Sequence, residues 1–357
     1  MSPSAKRRAG PGKSGTKRRP YLRIATEEAW ATPELLDLWR GLLRKKSFND
    51  PGFRSLWGFF LEGDIGYTNT IVERLQDLGE RRLRDMDATG IDKQLLLLTA
   101  PGVQVFDRDT AVSVAASTND VLAEACRNHP DRFAGLTAIA PQHPVAAARE
   151  LERGMKKLGL KGAVINSHTQ GEYLDDRKFW PIFEAAEALD AAIYIHPQTP
   201  PPSMVQPFLK WGIDTALMGF HVEVAYHTIA IILSGAFDRF PKLKIVIGHG
   251  GEGLPFWLYR MDFMQDAVLA NQPQRKRIKR RISEYLKDNV YVTTSGMAWS
   301  PAIRFCLDVL GTDRVLYAMD YPYQYVAREV RVTDRLPISA AAKKKLYQTN
   351  AERVFSL

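Results

Sequence analysis

Acidic and histidine side chains end several of the predicted strands of this chain. Glu27 and Glu28 end an apolar run near the start, His196 and His249 end two later runs, and Asp320 ends the last one. Carboxylates are rarely buried without a partner, and a divalent cation supplies the charge that such a cluster lacks. One glutamate, a neutral imidazole and Asp320 suit Mn²⁺ or Zn²⁺ and leave coordination positions for substrate or water. The sequence therefore predicts one divalent metal site.

The two neighbouring glutamates cannot both face this site. Successive side chains of a strand point to opposite faces of the sheet, so only one of the pair can enter the barrel. The spacing alone does not decide between Glu27 and Glu28.

His249 and Glu252 are spaced for proton transfer. Glu252 follows the histidine by three residues in a Gly-rich segment, where a carboxylate can fix the tautomer of an imidazole and raise its basicity. The alternative is a Gly-rich turn that contains an incidental glutamate.

Three other histidines are weaker candidates for functional residues. His168 follows a predicted strand, so we expect it either to contact an anionic or phenolic substrate or to hydrogen-bond a neighbouring loop. His221 and His227 are six residues apart in a predicted helix, which is not the i, i+4 spacing of two ligands on one helical face. We interpret both as structural or substrate-adjacent.

Eight short apolar runs must position these side chains. They alternate with amphipathic segments, the pattern of βα units around a parallel sheet. The predicted strands are residues 22–26, 93–98, 133–140, 161–167, 191–196, 243–249, 290–295 and 314–319. We predict an α/β fold, a distorted (β/α)8 TIM barrel with insertions after strands 1, 5 and 6. In such barrels the active site lies at the C-terminal ends of the strands, where these polar residues stand.

The net charge of +9 is concentrated at the N-terminus. Residues 1–20 contain seven basic and no acidic residues, which leaves +2 for the remaining 337. We predict a disordered basic tail over residues 1–20 and a single domain over residues 21–357. The near-neutral body argues against a nucleic-acid partner. The alternative from another class is a protein that binds nucleic acid through its tail and the basic runs 275–281 and 343–345.

Membrane and secretory signals are missing from the sequence. No apolar run approaches the roughly 18 to 20 residues that span a bilayer, and the N-terminus has no apolar stretch behind its charges. We expect a cytoplasmic protein without a membrane partner.

Several longer strings resemble the decarboxylase branch of the amidohydrolase superfamily, which includes aminocarboxymuconate semialdehyde decarboxylase and γ-resorcylate decarboxylase. They are ATEEAW (25–30), DMDATGIDKQLLLLTAPGVQ (85–104), GHGGEGLPFWLYRMD (248–262) and YAMDYPYQYV (317–326). The resemblance extends from about Tyr21 to the C-terminus and implies that Glu27, His196 and Asp320 bind the metal, with Mn²⁺ as the ion. Many members have a second ligand two residues after the first, so Ala29 at that position implies a three-ligand site.

The resemblance also implies non-oxidative decarboxylation of an ortho-hydroxylated aromatic carboxylate, most specifically of 5-carboxyvanillate to vanillate and CO2. It makes Asp320 the proton donor to the ring carbon, with His249 and Glu252 as proton-transfer residues. The candidate substrate-binding residues lie in or beside segments that reach the barrel mouth, and they are Thr99, His168, Phe220, Arg260 and Tyr323.

Three alternatives stay open at this point. A lactonase-type, metal-dependent hydrolase of the same superfamily would use the same ligands, because they can also activate water. A carboxylate on a metal should resist protonation, so either Asp320 or His249 could deliver the proton. The resemblance suggests a homodimer or homotetramer, which no residue pattern establishes.

Overall fold

A computed structural model describes residues 19–63 and 65–357. The predicted tail lies outside this range except for its last two residues, and Arg19 donates to the Asp92 carboxylate at 2.9 Å. The strands are β1 Ile24–Trp30, β2 Lys93–Leu98, β3 Phe133–Gly135, β4 Thr137–Ala138, β5 Gly162–Ile165, β6 Ala192–Ile195, β7 Lys244–Ile247, β8 Val290–Thr293 and β9 Val315–Leu316.

Helices follow most of the strands. They are α1 Pro33–Arg44, α2 Pro51–Glu62, α3 Gly66–Gln76, α4 Glu80–Thr89, α5 Arg108–Asn128, α6 Pro144–Arg153, α7 Trp180–Ala188, α8 Gln206–Leu209, α9 Gly219–Leu233, α10 Ala236–Arg239, α11 Leu254–Asn271, α12 Ile282–Asn289, α13 Ser300–Leu310, α14 Ala327–Asp334, α15 Ala340–Lys344 and α16 Asn350–Phe355. None of these helices combines the length and apolar character needed to cross a bilayer, within the residues that the structure describes.

The parallel strands form a closed series, which confirms the predicted barrel. β1 to β3 pair in order, as do β4 to β9, and Leu136 N joins the two sheets by donating to Leu96 O at 2.8 Å. The series closes where Thr26 N of β1 donates to Tyr317 O, just after β9, at 3.0 Å. The predicted strand 133–140 is two short strands, because the pairing partner changes at Leu136.

The predicted insertions are present after the first, fifth and sixth predicted strands, which are β1, β6 and β7. Helices α1 to α4 follow β1, α8 to α10 follow β6, and α11 and α12 follow β7. Helix α2 begins where the Asp50 carboxylate accepts from Phe53 N at 2.9 Å, with Pro51 at its first position. Its buried Trp57 donates from Nε1 to Ala100 O at 3.1 Å, so the first insertion is tied to the loop after β2.

Candidate functional site

Glu27, rather than Glu28, presents a free carboxylate oxygen at the barrel mouth. Tyr194 OH and Thr293 Oγ1 both donate to Glu27 Oε2, the latter at 2.8 Å. Glu27 Oε1 is buried and has no hydrogen-bond partner. The Nε2 atoms of His196 and His249 both lie 3.5 Å from that oxygen. Two imidazoles therefore point at the same orphaned oxygen.

Glu28 faces the other way and has a structural role. Its carboxylate accepts from Met319 N at 2.9 Å and from Tyr321 N at 3.2 Å. Burial raises the pKa of Glu28 to about 8, although these backbone N–H groups and Arg82 favour the charged form. Glu28 thus joins β1 to the segment after β9 and leaves the site to its neighbour.

His196 is neutral and directs one ring nitrogen toward Glu27. It follows β6, and its Nδ1 lies 2.8 Å from Pro197 O. Because a carbonyl oxygen can only accept a hydrogen bond, Nδ1 carries the proton. Burial lowers the pKa of His196, an effect that Glu27 opposes. The Nε2 lone pair therefore faces Glu27, as metal coordination by a histidine requires.

His249 and Glu252 form the predicted pair. The His249 Nδ1–H donates to Glu252 Oε1 at 2.6 Å. Burial alone would lower the pKa of His249, but Glu252 and Glu27 outweigh it and raise this pKa to about 10. Burial opposes the ionised form of Glu252, yet His249 and His221 hold the pKa of this carboxyl at about 2. Glu252 is therefore an ionised acceptor in the pair.

Asp320 completes the cluster from the segment after β9. Oxygen and nitrogen atoms of Glu27, His249 and Asp320 lie within 4.8 Å of one another, a spacing that could hold a metal ion. Burial raises the pKa of Asp320 well above its ordinary value, with His249 opposing this rise and Glu27 adding to it. Buried acids that repel one another in this way are the environment that a cation stabilises.

A cavity of about 460 Å³ opens onto this cluster. Thr99, Phe220 and Tyr323, three of the predicted substrate-binding residues, line it together with His196, His249 and Asp320. Thr99 Oγ1 and Tyr323 OH are hydrogen-bonded at 2.6 Å. The other lining residues were not predicted from the sequence, and they are Ser55, Leu56, Phe59, Phe60, Tyr67, Ala100, Pro197, Gly212, Asp214, Thr215, Ala216 and Gln324.

The structure places two predicted substrate-binding residues elsewhere. His168 is buried against neighbouring loops, where Nε2–H donates to Thr199 O at 3.0 Å and Nδ1 accepts from Gly171 N at 3.2 Å. Both ring nitrogens are thereby used, which corrects the expected substrate contact in favour of the loop alternative. Arg260 is exposed on α11 and does not line the cavity of its own chain.

Several residues that support the site were not predicted to do so. Tyr194 and His196 are two residues apart at the end of β6, so alternation along the strand could have placed both on one face. Thr293 ends β8 in the same layer. His221 donates to Glu252 Oε2 at 2.5 Å, and their separation of 31 positions in the sequence gives no local signal. His227 is structural, since its ring bonds Ser167 Oγ at 2.9 Å and Leu174 N at 3.0 Å.

Comparisons with known proteins identify a family and several related enzymes. A family model described as amidohydrolase matches residues 71–357. The γ-resorcylate decarboxylase of Polaromonas sp. is 35% identical over 344 residues, which cover 94% of this chain and 98% of that protein.

Solved structures include similar proteins at higher identity. The 5-carboxyvanillate decarboxylase of Novosphingobium aromaticivorans is 53% identical, with a TM-score of 0.92 over 95% of this chain and 98% of that one. That protein was crystallised with manganese and 3-methoxy-4-hydroxy-5-nitrobenzoic acid. The 5-carboxyvanillate decarboxylase of Sphingomonas paucimobilis is 40% identical, with a TM-score of 0.89 over 94% of this chain and 99% of that one.

Proposed function

Since the chain belongs to the amidohydrolase family, we propose that it is a metal-dependent carbon–carbon lyase that removes CO2 from an ortho-hydroxylated aromatic carboxylate. The proposed substrate is 5-carboxyvanillate and the products are vanillate and CO2, as in the breakdown of lignin-derived aromatic compounds. The observation that carries the proposal is the meeting of the unpartnered Glu27 oxygen with two imidazoles and Asp320 beside a cavity. The proteins at 53% and 40% identity support the choice of substrate.

The donor set fits one divalent ion, with Mn²⁺ proposed. Glu27 Oε1 is buried without a donor, and such an oxygen is costly to bury unless a hydrogen bond or a cation compensates it. We propose that Glu27, His196 and Asp320 would hold the ion. His249 also lies in the cluster, but Glu252 and Glu27 favour its charged form, which has no lone pair for a metal, so His249 would handle protons. The ion would supply the positive charge that draws the phenolic and carboxylate oxygens of the substrate together.

The reaction requires a proton at the ring carbon. Departure of CO2 alone would leave an unstable aryl carbanion, so the carbon that bears the carboxylate must be protonated as the C–C bond breaks. The ortho hydroxyl makes that carbon electron-rich. One proton is consumed and one CO2 is released in each turnover.

Asp320 and His249 are the proposed proton-handling groups. Asp320 would resist protonation while it holds the ion, but burial favours its protonated form once it is free of the ion, and that form suits a donor to carbon. His249 lies within the same 4.8 Å cluster and has its Nδ1 fixed by Glu252, so its Nε2 is the atom available to return a proton. We expect Asp320→Asn and His249→Asn to abolish turnover while the substrate still binds, and near-normal decarboxylation by either variant would contradict its role.

The cavity walls suit a substituted aromatic ring. Phe59, Phe60 and Phe220 provide apolar surface, and the hydrogen-bonded Thr99 and Tyr323 provide hydroxyls. A volume of about 460 Å³ is within the range of small-molecule sites. We propose that Thr99 and Tyr323 face the polar ring substituents that the metal does not hold.

We also propose that the protein is a cytoplasmic homodimer or homotetramer with one domain over residues 21–357 and neither a nucleic-acid nor a membrane partner. Helix α11 and its surroundings expose large apolar side chains, among them Phe256, Tyr259 and Phe263. Apolar clusters of this kind on a surface mark association sites. Arg260 lies on the same helix, so we propose that it reaches the substrate within such an assembly.

Product analysis in H2¹⁸O tests the proposed reaction against the lactonase-type alternative. Purified protein, stripped of metal by a chelator and reloaded with Mn²⁺, is incubated with 5-carboxyvanillate. We expect vanillate and CO2 in equal amounts and no ¹⁸O in the organic product. A ring-opened product, or ¹⁸O in a new carboxyl group, would show hydrolysis instead, and failure of the reloaded protein to release CO2 would refute the proposal.

A further inference from the structure

Glu252 lies between two histidines, of which the mechanism uses only one. His249 Nδ1–H donates to Oε1 at 2.6 Å, and His221 Nδ1–H donates to Oε2 at 2.5 Å. The two imidazole rings are 6.0 Å apart at 80° to each other. The side chain of Glu252 is fully buried, whereas that of His221 is 33% exposed. The carboxylate therefore bridges the site-facing ring and an outer ring.

The two hydrogen bonds fix the orientation of the carboxylate. Glu252 has a left-handed backbone conformation with φ of +55° and follows two glycines that also have positive φ, so its position depends on a turn without a regular helix or strand. A carboxylate held at one oxygen only can rotate about its side-chain bonds. With both oxygens engaged, Glu252 holds the Nδ1 side of His249 and directs Nε2 toward Glu27 and the cavity.

His221 is placed for this contact by the insertion after β6. It lies in the first turn of α9, next to Phe220, which lines the cavity. Two residues further along the same helix, the buried Glu223 lies beside Ser167, His168 and Tyr173, so the start of α9 packs against the segments that follow β5. The helix thus joins a cavity wall to the proton-handling pair.

We infer that His221 is a positioning residue, which orients Glu252 and through it the proton-handling ring of His249. This inference rests on the proposed function. Loss of the His221 N–H would leave Glu252 Oε2 as a buried acceptor without that donor, and His249 would sample orientations in which Nε2 no longer faces the reacting carbon. The consequence is a slower chemical step with little change in substrate binding.

Steady-state kinetics of the Mn²⁺-loaded enzyme test the inference. His221→Phe keeps a ring and removes the donor, His221→Leu removes the donor without that bulk, and His221→Asn keeps an N–H near the position of Nδ1. Residues that orient a reacting group through one intermediary typically contribute about 10- to 100-fold. We expect kcat to fall about 10- to 100-fold in His221→Phe and His221→Leu, with KM within about twofold of wild type. The kcat of His221→Asn should be at least about tenfold higher than that of His221→Phe.

Two controls separate positioning from general destabilisation. His129→Phe changes another half-buried histidine, which packs on Phe133 at the opposite end of the barrel, and should leave kcat unchanged. The double variant His221→Phe/Glu252→Gln should be no slower than Glu252→Gln alone, because the effect of His221 passes through Glu252. Equal losses in the Phe and Asn variants, or losses that multiply in the double variant, would overturn the inference.

A spectroscopic measurement keeps the inference separate from the proposed function. In ¹⁵N-histidine-labelled, Zn²⁺-loaded protein, the His249 Nδ1–H is identified by its loss in His249→Asn. We expect its downfield proton signal in wild type and in His221→Asn, and broadening or loss of the signal in His221→Phe. An unchanged signal in the Phe variant would refute positioning by His221, whereas absent CO2 release with the expected signals would refute only the proposed function.

Discussion

Removing one hydroxyl beneath the metal site should weaken metal binding without changing any ligand. Tyr194 OH donates to Glu27 Oε2, the oxygen that faces away from the two histidines. Burial and the Glu27 carboxylate raise the pKa of Tyr194 well above its ordinary value, so the phenol keeps its proton and remains a donor. Tyr194→Phe deletes this donor while the ring continues to fill its place in β6.

The size of the effect follows from the remaining contacts of Glu27. A hydrogen bond to a charged group contributes roughly 1.5 to 3 kcal/mol, and Thr293 Oγ1 still donates at 2.8 Å in the variant. Such outer contacts of a ligand typically change metal affinity by about 10- to 100-fold. We therefore expect the Kd for Mn²⁺ to rise about 10- to 100-fold in Tyr194→Phe, with kcat at saturating Mn²⁺ within about threefold of wild type.

The assay is a competition titration of metal-free protein with Mn²⁺, repeated for a matched control. Tyr285 is likewise buried and donates to a carboxylate, that of Asp238, but lies in α12. Tyr285→Phe should lower the free energy of unfolding and leave the Kd unchanged. An equal loss of affinity in both variants, or an unchanged Kd in Tyr194→Phe, would refute the role given to the hydroxyl.

Three further outcomes are expected. Glu27→Gln should abolish metal binding in a titration. Glu28→Gln should keep metal binding but lower the free energy of unfolding by about 1 to 3 kcal/mol, because an amide nitrogen cannot accept from a backbone N–H. The reverse pattern would exchange the roles of the two glutamates. Burial raises the pKa of Glu223 from its ordinary value of 4.5 to about 8. Between these two pH values the folded state keeps a proton that the unfolded chain has released, so the free energy of unfolding falls as pH rises. The Tm of Glu223→Gln relative to wild type should therefore increase from pH 5 to pH 8, and a constant difference would contradict the assignment. Tyr323→Phe should raise KM for 5-carboxyvanillate by about three- to tenfold, the cost of one hydrogen bond, and an unchanged KM would exclude a substrate contact.

Much of the fold was predictable because it depends on short-range patterns. Aliphatic runs such as KQLLLL at 93–98 are typical of strands in a parallel sheet that is buried on both faces, so they predict strands. Residue spacing alone could not decide between Glu27 and Glu28, because every residue of β1 is buried and a register irregularity lies between Ala25 and Glu28. Only the partners across the barrel distinguish the two side chains.

Site residues at the ends of strands could be predicted from the sequence, whereas the positions of residues that follow a turn in a loop could not. His196 directly follows β6 and Asp320 lies in the short segment after β9, and both line the cavity. His168 also follows a strand, but Ser167 before it has φ of +46°, so the chain turns and the ring packs on loops. The contact of His221 with Glu252 is set by the tertiary packing of α9, for which no spacing rule exists.

Deuterium incorporation shows directly whether the enzyme protonates the ring carbon as CO2 departs. The Mn²⁺-loaded enzyme converts 5-carboxyvanillate in D2O, and the product is examined by proton NMR and mass spectrometry. We expect vanillate with one deuterium, at the ring carbon that carried the lost carboxylate, and no product from metal-free enzyme. Unlabelled vanillate, deuterium at another ring position, or no vanillate from the loaded enzyme would refute metal-dependent protonation at that carbon.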